Sequence, residues 1–148
     1  MTLLLAACSS QPKQAAPDVA ISAEAPKPSD EWRRFPRADI VDTKVIEKQL
    51  MGKSFMPGGT LGRYKKGDTE YEMFVAKIAS ADDATLLLVD WKKALTDAKL
   101  VSSFGGYFGT DGNRPMFVFS KGNWVAGVAG LSQKEAEPKA SLLAAYLN

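Results

Sequence analysis

The chain has 148 residues, with 19 Lys/Arg, 17 Asp/Glu, one Cys and no His. A single cysteine forms no intramolecular disulfide, and a chain without His lacks the commonest general base, the usual imidazole metal ligand and the side chain that changes charge near neutrality. A net charge of +2 is too small to imply a nucleic-acid partner.

In chain order, the first informative stretch is Leu5-Ala6-Ala7-Cys8, a cysteine that follows two small residues and closes a leucine run. It resembles the lipobox of bacterial lipoproteins. The resemblance implies that the Cys8 sulfur carries a diacylglyceryl group, that the peptide bond before it is cut, and that the new N-terminus is acylated. Two or more acyl chains hold a protein on a bilayer stably, since each buried CH₂ contributes about 0.8 kcal/mol. Cys8 would therefore bind the chain to a lipid bilayer at the periplasmic or extracellular face. Ser9 after the cysteine implies the outer membrane in a bacterium with two membranes. A signal's apolar core has roughly 7–15 residues behind a charged start. Residues 1–7 hold neither Lys nor Arg and form a shorter run, so the front of the signal is expected to be missing. That run is also far below the ~20 residues of a membrane-spanning helix.

Residues 9–30 carry Pro12, Pro17, Pro26 and Pro28 among Ala, Gln and Lys, the composition of an extended tether. The expected organisation is a truncated signal and lipobox at 1–8, a tether at 9–30 and a single domain at 31–148, long enough to bury a core by packing alone. From Glu31 to Asp68 there are nine Lys/Arg against five Asp/Glu, and from Thr69 to Leu100 four against six. This asymmetry reads as solvated surface. Trp32 and Phe35, interleaved with Arg33, Arg34 and Arg37, read as an apolar edge cover under wet arginines.

Residues 43–50 predict a short helix closed by Gly52. Gly52-Lys53-Ser54 has the tail of a phosphate-binding loop, but Glu47 occupies the position of its required first glycine. Residues 60–64 and 70–79 read as strands about the turn at Gly67. The second alternates Tyr71, Met73 and Val75 with Phe74, Ala76 and Ile78, so both of its faces are apolar and covered. Glu70 and Glu72 share one face at its start. They are candidate acid–base groups, as is Asp90, but read better as charged surface.

Ser80 before Asp82 and Asp83 is a helix start with a side-chain cap and acidic groups at the positive end of the dipole. The periodicity of Ala84, Leu87, Leu88, Trp91, Leu95 and Ala98 carries the helix to about residue 98. Leu86 and Val89 fall on its outer face and form a candidate contact for a partner chain. Residues 101–110 read as one glycine-rich aromatic strand. Phe104, Tyr107 and Phe108, with Trp124, form a candidate cleft for a lipid, glycan or aromatic metabolite. Turns at 110–113 and 120–123 separate strands at 116–119 and 124–129, and Gly127 leaves room for close packing. Ser132 to Glu135 is a capping box. Pro138 would clash inside a continuous helix, which places the final helix near Pro138, with Ala140, Leu143, Ala144 and Leu147 inward.

The fold class expected is α+β, with a mostly antiparallel sheet of about five strands and helices packed mainly on one face. The sequence holds no Ser-x-x-Lys and no Gly-x-Ser-x-Gly. The function expected is that of an anchored, non-catalytic accessory domain meeting another envelope protein, with no cofactor and no metal. Small-ligand binding is the alternative.

Overall fold

The structure, a computed structural model, describes residues 30–148. Lipobox, signal and tether, with Cys8, lie outside the described residues, apart from Asp30. Seven strands form one fully antiparallel sheet: β1 (Ile40–Lys48), β2 (Pro57–Lys66), β3 (Thr69–Lys77), β4 (Thr96–Val101), β5 (Gly106–Asp111), β6 (Arg114–Lys121) and β7 (Trp124–Ala129). Their spatial order is β1-β2-β3-β7-β6-β5-β4. Helix α1 (Ala81–Ala94) links β3 to β4, and α2 (Gln133–Ala145) follows β7.

The architecture is α+β, as expected, but with seven strands rather than five. Both additional strands lie at the sheet edges. Residues 43–50 are not helical: five of the nine residues of β1 are β-branched (Ile40, Val41, Thr43, Val45, Ile46), and pairing with β2 outweighs a weak helical spacing. Helix α1 stops at Ala94, and Thr96–Val101 becomes the far edge strand. Asp97 takes a left-handed φ of 55° there, at the register shift that separates Thr96 from Lys99. Residues 101–110 are likewise not one strand, because a turn at Ser102–Gly105 joins β4 to β5.

The helices do not share a face. Tyr71, Met73 and Val75 of β3 join Phe117, Phe119, Ala126 and Val128 beneath α2, which contributes Ala136, Ala140 and Leu143, with Leu147 just past its end. Phe74, Ala76 and Ile78 join Met116, Val118 and Val125 beneath α1, which contributes Ala84, Leu88 and Trp91, with Leu95 at its C-cap. Alternating apolar residues on both faces of β3 and β6 require cover on both sides, and one helix supplies each. The loop 49–56 completes the α1 layer: Trp91 Nε1 donates to Met56 Sδ at 3.2 Å, and Lys53 pairs with Asp111 at 2.6 Å.

Pro138 sits inside α2 rather than at its start. The Ser132 side chain accepts from the Glu135 amide and donates to Glu135 Oε1, so the helix is fixed one turn earlier than the proline suggests. Pro138 is exposed and forfeits only the bond to the Lys134 carbonyl.

The chain enters the domain near the C-terminal end of α2. The Glu31 amide donates to Thr60 Oγ1, Arg34 donates to the Tyr146 carbonyl and stacks 5.1 Å from the Trp124 ring, and Trp124 Nε1 donates to the Asn148 carbonyl.

Candidate functional site

The residues picked out as a cleft do not converge. Phe104 and Phe108 pack on Phe117 in the α2 layer, with centroid separations of 5.2 and 6.5 Å. Tyr107 points to the opposite face of the same strand, where Lys92 stands 5.5 Å from its ring. Trp124 is buried core beneath the C-terminal end of α2. Phe104 alone borders a concavity, an open groove of about 760 Å³ that it shares with Lys121, Pro138 and Ala144.

Leu86 and Val89 stand on the outer face of α1, 63% and 40% exposed, while Leu88 and Trp91 of the same helix are buried. Glu70 and Glu72 share the α1 side of the sheet, beyond the helix. Glu72 accepts from Arg114, and Glu70 lies opposite Lys65 in the β2–β3 register. Beside them, Arg63 holds Asp42 through two bonds of 2.7 and 2.8 Å. That guanidinium keeps the Asp42 carboxyl below its usual range, and the Arg63 pKa rises in return. Arg63, Lys65, Arg114, Glu70 and Glu72 wall a cavity of about 360 Å³, three cations facing two carboxylates. Asp90 lies on α1, remote in sequence from both glutamates.

A different site emerges where the β2–β3 turn meets the first turns of α2. Lys66 ends β2, Thr69 opens β3, and Ser132 caps α2 so that Lys134 falls on its first turn and Lys139 on its second. With Leu131, Pro138 and the Tyr71 ring they enclose a cavity of about 400 Å³. Its floor is apolar. Its rim carries three ammonium groups against one carboxylate, Glu135, which is engaged by the Ser132 hydroxyl at 3.1 Å. Lys139 Nζ stands 5.8 Å from the centroid of the Tyr71 ring, within range of a cation–π contact.

Tyr71 is the unusual member. It stacks on its cross-strand partner Tyr64 at 5.0 Å, with the planes 10° apart. Tyr64 donates its hydroxyl to the Pro36 carbonyl at 2.7 Å. The Tyr71 residue is only 4% exposed, and its hydroxyl is buried without a hydrogen-bond partner among the described residues. Burial, and then the Asp39 carboxylate, raise the Tyr71 pKa, so the group stays a protonated donor. Nothing in the sequence marks Tyr71 off from other core aromatics, and Lys66, Lys134 and Lys139 meet only through the tertiary fold.

Among the described residues no group of three or more His, Cys, Asp or Glu is placed to hold a metal ion, and no helix is long and apolar enough to cross a membrane. Comparison of the chain with known proteins finds no matching family model, no matching curated protein and no matching solved structure.

Proposed function

We propose that the chain is a lipid-anchored envelope protein whose folded body docks, without catalysis, onto another envelope protein. The anchor is the acylated Cys8, the location the periplasmic or outer face of the membrane, and the contact the outer face of α1. The single observation that carries the docking reading is the pair Leu86 and Val89, two large apolar side chains left in water on a helix whose inner stripe is already filled. Single exposed apolar residues are common on protein surfaces, but adjacent ones on one helical face favour a partner.

The test uses native-host material. Intact mass of the mature protein is expected to show a chain that begins at Cys8 with acyl groups attached; an unmodified chain rejects the anchor. Capture with the wild-type chain and with L86D/V89D is expected to recover an envelope protein with the first only. Equal recovery by both rejects the α1 face as the contact.

A further inference from the structure

We propose that the cavity between the β2–β3 turn and the start of α2 binds a small organic anion, a phosphate or carboxylate on an apolar body, held by Lys66, Lys134 and Lys139 over the Tyr71 ring. The inference goes beyond the docking reading and does not depend on it.

Two independent features meet there. The first is charge. Lys66, Lys134 and Lys139 have no ion-pair partner among the described residues, and they face a cavity with one carboxylate that is already engaged. The α1-side cavity makes the contrast: there two of the three cations, Arg63 and Arg114, are committed to Asp42 and Glu72. The second is shape. Leu131, Pro138 and the Tyr71 ring give the site an apolar floor, and its volume suits a ligand of a dozen or so heavy atoms rather than a bare ion. The first two amides of α2, at Gln133 and Lys134, add a weak positive field at the same end.

The chain enters at the C-terminal end of α2, and the cavity lies at the other end, about 20 Å away along a helix of this length; soluble anions and lipid vesicles as separate probes distinguish a free ligand from a headgroup.

The experiment titrates the full chain with phenyl phosphate, benzyl alcohol and inorganic phosphate, and follows amide shifts by NMR. Phenyl phosphate is expected to bind about tenfold or more tighter than either fragment, with shifts centred on residues 66–71 and 131–139. K66Q/K134Q/K139Q is expected to weaken it by about tenfold or more, while the equal charge loss K92Q/K93Q/K99Q leaves it unchanged. Equal affinity for phenyl phosphate and benzyl alcohol, or unchanged binding by the Lys66/Lys134/Lys139 variant, overturns the proposal. Binding to phosphatidylglycerol vesicles with no response to phenyl phosphate also overturns it and assigns the lysines to a membrane surface.

Discussion

Two residues carry most of the chemical individuality of this domain. Tyr71 is a hydroxyl without a partner inside a filled layer. Its removal deletes no hydrogen bond, so Y71F is expected to leave the unliganded protein as stable as wild type or more stable by about 1 kcal/mol, measured as a denaturant midpoint shift. A loss of similar size would reveal an acceptor. Gly127 is the opposite case, a residue defined by what cannot be added. A Cβ there would collide with the Phe117 carbonyl and the Phe74 ring, because β7 runs between β3 and β6 with Phe74 laid across it. Neither backbone nor ring has room to retreat, so G127A is expected to cost at least about 3 kcal/mol, and circular dichroism melting checks this.

At the scale of elements, the two helices do different work with similar means. Each buries one stripe, and truncation there is expensive: L88A in α1 and L143A in α2 are each expected to cost about 2–5 kcal/mol in a denaturant titration. L86A, two positions before Leu88 and on the opposite face of the same helix, is expected to stay within about 0.5 kcal/mol of wild type. The contrast checks that Leu86 is surface rather than core. These helices were legible in the sequence, since Ser80 and Ser132 are caps and the inward spacing is helical. So were β2, β3, β6 and β7, where alternation or an apolar run meets a clear turn. The edges were not legible. β1 was hidden because Val45 and Ile46 are adjacent and fit a short helix as readily as a strand. β4 was hidden because Leu95 and Ala98 extend the α1 period past its true end. The face assignment failed for a related reason: a strand with two apolar faces says that both are covered, but not by which helix. The lysine-rimmed cavity was invisible because its members are separated by some seventy residues and carry no local motif.

For the whole molecule, the lack of His confines pH sensitivity to the extremes. The alkaline limit is set by Tyr64 and Tyr71, whose pKa values burial raises above the ordinary 10.0. Below pH 10 both are neutral in the folded and unfolded chain, and their contribution is fully present. Above it the unfolded chain ionises while the folded chain resists, so stability falls as pH rises. Absorbance at 295 nm is expected to show Tyr64 and Tyr71 titrating only as the protein unfolds. If every tyrosine titrates near pH 10 with the fold intact, these two are not buried as described.

The sheet closes on neither side, and its outermost backbone rows belong to β1 and β4. One is broken at Ile40/Asp42 and set with Lys44, Glu47 and Lys48; the other is short and kinked at Asp97. Interrupted, charged rims are poor templates for adding a further strand. Copies crowded shoulder to shoulder would thus remain separate bodies instead of zipping into a continuous ribbon.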